Sequence, residues 1–502
     1  MSSPTDSMDI TDITDIVTRF FDTARRHPDL IAVRDNDRQV SYAELLDLVR
    51  RVAGPLAGPT TPVGVLTSRS VDVVANLLGV LTAGRAYVPI DPTFPAARRG
   101  AMLGAAGCGE VIGPTLSDRA PSLDEPVSVT GKTPAYILFT SGSTAAAKPV
   151  AIPRTAIAAA VDSLGDLLDV GPGDRVLQFA SLNWDTCFEE ILPALTRGAT
   201  LVFDDDAYSG LFPRFLRMVD RQGVTLLDLP TAFWHELVVD LTDDGPRPLP
   251  ESVRTVVIGG EAARQARFDA WRTLPGAERV RLVNTYGCTE TTLVTHAVDL
   301  FGPRADPARA GGPIPIGRPL PHVVQVIGDD GELVIGGPAL ATGYPGLPEL
   351  TAERFVDRDG GRHFHTRDRV RALPDGVLLH EGRLDDELKV RGIRVSPGEV
   401  EAALCAHPGV AAAAVTGHGI GDHTSIVAYV VARPPIRDDL GAELLRHLRA
   451  TSPAHLVPAR VTVVPELAHT ASGKLDRRRT HQLHAPQSQP HATETKEAHH
   501  VH

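Results

Sequence analysis

The chain is poor in cysteine, aromatic side chains and positive charge. Its 502 residues include only four cysteines, which are too far apart for a metal or redox motif. We therefore expect reduced thiols in a cytoplasmic protein rather than a disulfide scaffold. The formal net charge of −12 argues against general nucleic-acid binding, because a polyanion is bound by a basic surface.

Long apolar runs are also missing from the sequence. No apolar segment reaches about 18 residues, so we expect no membrane-spanning helix and no membrane partner. The N-terminus is acidic and lacks a positively charged start, which argues against a secretory signal peptide. A hydrophobic content of 42% with 22% charged residues is instead typical of a globular protein with a large core.

Short Val/Ile/Leu-rich strands alternate with Ala/Leu-rich helical segments from Val63 onwards. This alternation predicts an α/β fold in which parallel-rich sheets are covered by helices. After about Gly382 the pattern changes to that of a small α+β domain of about 100 residues, with predicted helices and strands at 397–406, 410–416, 424–431, 440–451 and 459–464. The predicted organisation is a loosely ordered N-terminus (1–17), a large domain (18–384), a small domain (385–483) and a disordered His-rich tail (484–502).

The segment LFTSGSTAAAKPV, at residues 138–150, has the composition of a phosphate-binding loop. An apolar strand at 136–139 leads into small and hydroxylated residues from Thr140 to Thr144, and Lys148 follows. Backbone N–H groups, hydroxyl groups and one ammonium group are donors that can surround a polyphosphate. The loop is not a Walker motif, because no Gly-Lys-Ser/Thr sequence closes it. Taken alone, the segment could equally be an ordinary Ser/Gly turn.

Eight further motifs accompany this loop. They are LTAGRAYVPIDPTFP (81–95), NWDTCFEE (183–190), GGEAA (259–263), NTYGCTETT (284–292), GELVIGGPALATGY (331–344), HTRDRV (365–370), GRLDDELKVRGIRVSPGEVE (382–401) and SGKLDRR (472–478). In this order they closely resemble the amino-acid adenylation domains of nonribosomal peptide synthetases, within the acyl-adenylate-forming superfamily. The resemblance covers about residues 18–480 and implies the adenylate-forming enzyme fold, a large domain followed by a small mobile lid.

The resemblance implies ATP-dependent activation of an amino acid as aminoacyl-AMP, with release of pyrophosphate. ATP and Mg²⁺ are the implied cofactors, and the acyl group would then pass to the phosphopantetheine thiol of a separate carrier protein. A small MbtH-like activator is a further candidate partner. The attacking carboxylate is already ionised at neutral pH, so catalysis would depend mainly on positioning and charge neutralisation.

Carried over residue by residue, the resemblance assigns the charged roles. Lys474 would bridge the substrate carboxylate and the α-phosphate, Lys148 would bind the leaving phosphates, and Glu290 would hold Mg²⁺. Asp385 would be the hinge of the small domain. The expected ATP- and AMP-binding residues are Thr140, Ser141, Gly142, Ser143, Thr144, Gly260, Glu261, Ala262, Asn284, Thr285, Tyr286, Thr289, Asp368 and Arg383.

Within this nucleotide set, Tyr286 would offer an aromatic face to adenine and Asn284 would hydrogen-bond its edge. Asp368 would accept from the ribose hydroxyls, with Arg383 nearby. Each role has a structural alternative, such as a turn carboxylate for Asp368 or a solvated side chain in the charged segment of Arg383. Lys389, in that same segment, stays open between the two interpretations.

Asp185 matches the family position that pairs with the amino group of an amino acid, a carboxylate that aryl- and fatty-acid-activating relatives usually lack. The other positions carried over to the acyl pocket are Thr186, Glu189, Ala232, Val257, Gly259, Thr285, Leu293 and Val294. Glu189 is the only charged residue among them, and an unpaired carboxylate at the base of a pocket is costly. The sequence therefore predicts a basic substrate such as lysine, β-lysine or ornithine, unless Glu189 turns away or meets a protein cation.

Three departures from the family pattern bear on activity. Ala145 and Ala147 stand in a loop that usually reads TG-x-PKG, and Pro149 there removes a backbone donor. Arg367 replaces a glycine, and Cys288 replaces a proline. Two other functions therefore stay open: an aryl- or acyl-CoA ligase of the same superfamily, and a degenerate module that binds nucleotide or carrier protein without turnover.

Overall fold

The computed structural model describes residues 14–113, 122–140, 148–307, 312–358, 360–384, 388–390, 393–420, 423–435, 439–469 and 475–485. The helices are α1 (Ile16–Arg26), α2 (Tyr42–Leu56), α3 (Val71–Thr82), α4 (Ala96–Ala105), α5 (Arg154–Leu168), α6 (Thr186–Thr196), α7 (Phe212–Gln222), α8 (Thr231–Asp243), α9 (Gln265–Trp271), α10 (Pro348–Arg354), α11 (Pro397–Cys405), α12 (Leu440–Thr451) and α13 (Arg477–His484). Within the described residues, no helix has both the length and the apolar character needed to cross a bilayer.

The strands are β1 (Ile31–Asp35), β2 (Arg38–Ser41), β3 (Val63–Leu66), β4 (Tyr87–Ile90), β5 (Glu110–Ile112), β6 (Pro134–Thr140), β7 (Lys148–Pro153), β8 (Arg175–Leu177), β9 (Thr200–Phe203), β10 (Leu226–Pro230), β11 (Thr255–Gly259), β12 (Arg281–Gly287), β13 (Val294–Phe301), β14 (Arg318–Pro319), β15 (Val324–Ile327), β16 (Glu332–Gly336), β17 (Phe355–Arg358), β18 (Gly361–Ala372), β19 (Leu378–Arg383), β20 (Leu388–Val390), β21 (Ile393–Val395), β22 (Val410–Ile420), β23 (His423–Ala432) and β24 (Arg460–Val463).

Two sheets of the large domain are mainly parallel. One has nine strands in the order β14-β13-β12-β11-β10-β8-β9-β1-β2, and its centre from β12 to β9 is parallel. The other has the order β5-β3-β4-β6-β7, and only its β6–β7 pair is antiparallel. Helices α6, α7, α8 and α9 connect successive strands from β8 to β12, and the strands are almost continuously buried, as expected for sheets covered on both faces. The predicted α/β fold with parallel-rich, helix-covered sheets is confirmed.

The large domain has a third sheet, which the sequence did not predict. Strands β15-β16-β18-β17 form an antiparallel sheet, and β19 adds to β18. The longest strand, β18, alternates buried residues such as Phe364 and Thr366 with more exposed ones such as His365 and Arg367. This alternation marks a sheet with one wet face rather than the continuous apolar run of a covered parallel strand. The sheet matters for function because β18 carries Asp368.

The small domain has its own apolar core. Strands β22, β23 and β24 form a three-stranded sheet, and helices α11 and α12 pack on one face through Val400, Leu404, Leu444 and Leu448. Its helices and strands lie where the sequence predicted them, to within four residues at each end. Strands β20 and β21 form a short hairpin that precedes this core.

The predicted loose N-terminus is wrong for residues 15–17. Helix α1 begins at Ile16, and the side chain of Asp15 caps it by accepting from the backbone N–H of Val17 at 2.8 Å. Ile16 and Val17 are fully buried, because this end of the amphipathic helix packs into the main core. Residues 1–13 lie outside the described residues, as does the predicted tail beyond residue 485, whose first residue, His484, ends helix α13.

Three buried histidines make part of the stability of the fold depend on pH. Burial lowers the pKa of His296, His322 and His455 to about 4 each. An unfolded histidine titrates near 6.5, so below that pH the unfolded chain takes up protons that the folded chain excludes. Each histidine should therefore lower the free energy of unfolding by about 1.4 kcal/mol per pH unit as the pH falls from about 6.5 to 4, while the buried carboxylates of raised pKa, such as Asp185 and Asp228, oppose this change.

Urea denaturation followed by tryptophan fluorescence at several pH values measures this slope. His322→Asn should remove one of these contributions, so its free energy of unfolding should fall less, or rise more, than that of the wild type as the pH is lowered from 7 to 5. His469→Gln, at an exposed histidine, should leave the wild-type pH dependence unchanged. The same pH dependence in His322→Asn as in the wild type would contradict the prediction.

Candidate active site

Two cavities lie side by side where strands β10, β11 and β12 end. These strands are parallel neighbours, so their carboxyl ends at Pro230, Gly259 and Gly287 lie along one edge of the sheet. In open α/β sheets, ligands bind at this edge. The carboxylate cavity, about 240 Å³, is lined by Asp185, Glu189 and Asp228. The tyrosine cavity, about 520 Å³, is lined by Tyr286 and its neighbours.

The two cavities share one wall. The residues that line both are Gly260, Thr285, Gly287, Asp368 and Arg383. A ligand occupying one cavity would therefore lie within reach of a ligand in the other. This arrangement suits two substrates that react with each other.

Helix α6 supplies two carboxylates to the carboxylate cavity. Asp185 is the N-cap residue of the helix and Glu189 lies one turn further on, so both side chains are on the same face. Glu190 points away from the cavity and is fully buried; it accepts from the backbone N–H groups of Phe179 and Ala180 at 2.9 Å. Glu190 thus anchors the helix, which is the structural role that the sequence predicted.

Asp228, on β10, is a third carboxylate that the sequence interpretation missed. It lines the cavity and shares a side-chain hydrogen bond with Glu189. The resemblance instead predicts Ala232 in the pocket, and the structure places Ala232 in helix α8. Among the described residues, Ala232 and Val257 do not belong to the cavity lining. A single carboxylate in the apolar strand Leu226–Pro230 was the signal that could have identified Asp228.

Burial dominates the electrostatics of these carboxylates. Burial raises the pKa of Asp185 to about 6, although the hydrogen bond from the Thr289 side chain acts in the opposite direction and lowers this pKa. Burial, and then the negative charge of Asp228, raise the pKa of Glu189 well above its ordinary value. Burial raises the pKa of Asp228 to about 7. Near neutral pH the hydrogen-bonded pair therefore retains a proton unless a cation enters the cavity.

The rest of the predicted acyl-pocket residues are brought together as expected. They are Thr186, Gly259, Thr285, Leu293 and Val294. Leu293 follows Thr292 in an uncommon turn, since both have positive φ, 63° and 58°. Buried Thr292 secures this turn by donating its hydroxyl to the carbonyl of Ala339 at 2.6 Å. Backbone strain of this kind is typical of functional sites.

The tyrosine cavity collects most of the predicted nucleotide-binding residues. Those in its lining are Gly260, Glu261, Ala262, Asn284, Thr285, Tyr286, Asp368 and Arg383. Gly260 has φ +84°, which allows the backbone to turn into the cavity without a side chain. The lining also includes His235 and His380, which the sequence interpretation did not name.

Asp368 is held by three side chains around one buried carboxylate. The Tyr286 hydroxyl donates to Oδ2 at 2.7 Å, and Arg383 donates from Nη1 to Oδ1 at 2.9 Å. Nε2 of His380 lies 3.2 Å from the same Oδ1. Strands β18 and β19 pair Asp368 directly with Arg383, so the antiparallel sheet creates this group. A carboxylate fixed in this way is suited to accept from a diol.

Asn284 offers a free acceptor. Its amide nitrogen donates to the carbonyl of Pro315 at 2.7 Å, which fixes the side chain. Its buried oxygen Oδ1 has no hydrogen-bond partner within the described part of the chain. Because a buried acceptor without a donor is costly, this atom suits a ligand N–H group such as the amino group of adenine.

The predicted metal ligand Glu290 is buried in a short turn of 3₁₀ helix, Thr289–Thr291. Its Oε1 accepts from the Tyr344 hydroxyl at 2.9 Å, and Lys148 lies 5.8 Å from the centre of the same tyrosine ring. No set of three or more metal-ligating side chains occurs in the described ranges. One carboxylate fits Mg²⁺, which commonly uses one or two carboxylates and completes its shell with phosphate oxygens and water.

Strands β6 and β7 place Thr140 opposite Lys148 at the two ends of the predicted phosphate loop. Thr140 and Thr289 line the carboxylate cavity, beside the wall that both cavities share. The other predicted loop residues, Ser141, Gly142, Ser143 and Thr144, lie outside the described residues, as do Ala145, Ala147, Asp385 and Lys474. Their roles remain predictions.

The structure accommodates each of the residues that depart from the family pattern in its own way. Arg367 has φ +62°, so it keeps the left-handed backbone that glycine would adopt, at a cost in strain. Its N–H donates to Oε1 of Glu332 at 2.8 Å, which stabilises the turn before Asp368. Pro149 pairs with Phe139 in the β6–β7 ladder, and Cys288 lines the carboxylate cavity.

The small domain contacts the large domain beside the carboxylate cavity. Ile393, in the β20–β21 hairpin, lines the cavity itself. Arg98 of α4 forms an ion pair with the buried carboxylate of Glu399 in α11 at 3.2 Å. The Trp184 ring, which also lines the cavity, packs edge-on against His455 with centroids 5.5 Å apart. The face of the small domain that bears α11 thus meets the site.

Comparison with protein families identifies the class. The AMP-binding enzyme family matches residues 20–127 and 114–345, and the C-terminal domain of AMP-binding enzymes matches residues 399–474. The chain therefore belongs to the AMP-binding enzyme family, as an adenylation domain of the acyl-adenylate-forming superfamily. Enzymes of this class are AMP-forming acid–thiol ligases.

Individual relatives and a solved structure are similar to this chain over most of its length. The chain is 41% identical over 487 residues to the isonitrile lipopeptide synthase of Streptomyces coeruleorubidus, covering 91% of this chain and 32% of that protein. It is 34% identical over 513 residues to the phenyloxazoline synthase MbtB of Mycolicibacterium paratuberculosis, covering 94% of this chain and 42% of that protein. The chain thus spans less than half the length of these relatives. The solved structure of holo-PA1221, a nonribosomal peptide synthetase protein with adenylation and PCP domains, matches with a TM-score of 0.81 and 26% identity, covering 95% of this chain and 85% of that one.

Proposed function

We propose that the chain adenylates an amino acid with a cationic side chain, such as lysine, β-lysine or ornithine, and then passes it to the phosphopantetheine thiol of a separate carrier protein. The hydrogen-bonded carboxylate pair of Glu189 and Asp228 is the observation that carries the substrate assignment. ATP would be the second substrate, with Mg²⁺ as cofactor.

The carboxylate cavity has a separate partner for each cation of such a substrate. Asp185 would pair with the α-ammonium group, and the Glu189–Asp228 pair would meet the side-chain cation. Two buried carboxylates side by side are unfavourable without a counterion, and the substrate would supply it. A substrate with a neutral side chain would leave this cost in place. The pair would therefore make the protein bind a substrate with a cationic side chain more tightly than its neutral analogue.

The tyrosine cavity is suited to the nucleotide. Asn284 would accept from the adenine edge, Tyr286 would face the base, and Asp368 would accept from the ribose. The shared wall would then bring the α-phosphorus next to the amino acid carboxylate, which attacks without a general base. Lys148 would neutralise charge on the phosphates, Glu290 would hold Mg²⁺, which supplies further positive charge, and Lys474 would join them once the small domain has rotated.

The direct experiment is a panel of amino acids in ATP–pyrophosphate exchange. We expect the highest exchange rates with lysine-like diamino acids and low rates with norleucine, glutamate and aryl acids. Exchange with a neutral or acidic amino acid would reject the basic-substrate assignment and keep the adenylation activity. Exchange only with acids that lack an amino group would favour an aryl- or acyl-CoA ligase, and no exchange at high enzyme concentration would favour a degenerate binding module.

The orientation of the small domain supports a role in the second half-reaction. The face bearing α11 and Ile393 meets the cavity. Leu475 packs on the opposite face of the three-stranded sheet, against the cluster that includes Tyr429 and Val464. Lys474 would act during adenylation with the small domain in another orientation, and Asp385 would be the hinge between the two orientations. A carrier protein is the natural acceptor, as in holo-PA1221, which contains a PCP domain; an MbtH-like activator is an additional candidate.

Reversing the charge of Arg98 should separate the two half-reactions. In Arg98→Glu, two carboxylates face each other at the domain contact, so the observed orientation loses stability. We expect loading of a carrier protein to slow by about tenfold, while pyrophosphate exchange stays within about twofold of wild type. Loading is measured by mass spectrometry of the holo-carrier.

The matched control is the double reversal Arg98→Glu with Glu399→Arg. It restores an ion pair at the same place and should recover much of the loading rate. Equal losses in exchange and loading would show that this contact is not specific to the second half-reaction.

A further inference from the structure

We infer that Tyr344 is a positioning residue that holds the metal ligand and the phosphate-binding lysine in one fixed arrangement. The inference rests on the proposed function, because it concerns side chains that would meet ATP and Mg²⁺. Tyr344, Glu290 and Lys148 are only 3%, 2% and 8% exposed, so their mutual geometry is set by the protein rather than by solvent.

The hydroxyl group of Tyr344 fixes the carboxylate. It donates to Oε1 of Glu290 at 2.9 Å in a buried hydrogen bond. Such a bond to a charged acceptor is strong and directional, so the carboxylate plane has little freedom. Mg²⁺ requires near-ideal octahedral geometry, and a ligand held in advance loses less freedom when the ion arrives.

The ring of the same tyrosine lies beside the lysine. Nζ of Lys148 is 5.8 Å from the ring centre, within the range of a cation–π contact. One side chain therefore contacts two groups of opposite charge, the carboxylate through its hydroxyl and the ammonium group through its face.

The backbone around the tyrosine ties together the two elements that carry these groups. The N–H of Ala341 donates to the carbonyl of Glu290 at 2.9 Å. The N–H of Thr342 donates to the carbonyl of Ala151 at 2.8 Å, and the N–H of Ala151 donates to the carbonyl of Gly343 at 3.1 Å. Ala151 lies in β7, the strand that begins at the lysine. The segment is thus fixed at both sides, which keeps the tyrosine in register with both partners.

Tyr344→Phe removes the hydroxyl group and keeps the ring. We expect the Mg²⁺ concentration for half-maximal pyrophosphate exchange to rise by about tenfold, while KM for the amino acid stays unchanged. ATP should also raise the Tm of the protein in the absence of amino acid, when no catalysis occurs. The Mg²⁺ concentration that gives half of this increase in Tm should be about tenfold higher for Tyr344→Phe than for the wild type. Tyr344→Leu also removes the ring face and should additionally raise KM for ATP.

Tyr42→Phe is the matched control. Its buried hydroxyl donates to the carbonyl of Ala199 at 2.7 Å, and it contacts no residue of either cavity lining named above. We expect this variant to lower Tm and to leave both Mg²⁺ midpoints at the wild-type value. If Tyr344→Phe behaves in the same way, Tyr344 is only structural and the inference fails.

The thermal-shift arm separates the inference from the proposed function. If no amino acid supports exchange but ATP with Mg²⁺ still raises Tm, the proposed function fails. In that case the Mg²⁺ midpoints of the Tm increase, compared between wild type and Tyr344→Phe, decide the role of Tyr344. If ATP with Mg²⁺ does not raise the Tm of the wild-type protein at any concentration, both the proposed function and the inference are overturned.

Discussion

Asp185→Asn is expected to lower kcat/KM for the preferred amino acid by about two to three orders of magnitude. The asparagine keeps the size of the side chain at the N-cap of α6 and removes only the charge. The α-ammonium group of the substrate would then be buried without its counterion, at a cost of roughly 3–5 kcal/mol. Pyrophosphate exchange with the amino acid and with its des-amino analogue measures the effect.

The des-amino analogue should be affected much less, or should improve, because it brings no ammonium group. Asp162→Asn serves as the control: Asp162, in helix α5, pairs with Arg19 and Arg197 and is not among the described residues that line either cavity, so we expect a change of less than about twofold. A variant at Asp185 that still prefers the amino acid over the des-amino acid by the wild-type ratio would favour the aryl- or acyl-ligase alternative.

The second large effect concerns the Glu189–Asp228 pair. Wild-type enzyme should prefer lysine to norleucine by about a hundredfold or more in kcat/KM, since a neutral side chain leaves the pair without its counterion. Either Glu189→Gln or Asp228→Asn should erase most of that preference. Both changes preserve shape and leave the nucleotide site intact, so the effect should appear in selectivity rather than in KM for ATP.

The pH dependence offers a second readout for the same pair. Binding a cation requires the pair to carry a negative charge, and burial raises the pKa of Asp228 to about 7. We therefore expect kcat/KM for lysine to fall as the pH drops below about 7, whereas norleucine should show no such decline until Asp185 is protonated near pH 6. Identical pH profiles for the two substrates would contradict the assignment.

Ala232→Ser is the matched control for Asp228→Asn. Ala232 was the position assigned from sequence, and the structure places it outside the described lining of the cavity. The lysine preference should survive this change. A loss of selectivity in Ala232→Ser, with none in Asp228→Asn, would restore the sequence assignment.

Motif order and local pattern were enough to predict much of this protein. Apolar strands such as Val63–Leu66 and Thr255–Gly259 are recognisable because a covered parallel strand is a continuous apolar run, and these strands alternate with helical segments. The resemblance to amino-acid adenylation domains assigned Gly260 and Asn284 to one site, and both line the tyrosine cavity. The same resemblance assigned Asp185 and Glu189 to the acyl pocket, and their spacing on α6 puts them on one face.

Only the tertiary structure decided which residues complete the site. The pairing of Asp228 with Glu189 depends on which face of β10 meets α6, and the sequence predicted Ala232 in the pocket instead of Asp228. The contacts of Tyr344 with Glu290 and of Arg98 with Glu399 join residues that are 54 and 301 positions apart. Local periodicity carries no information about such pairs, because they are formed by packing between elements rather than within one. The same holds for the antiparallel sheet that pairs Asp368 with Arg383, because long-range strand order creates the surroundings of the Asp368 carboxylate.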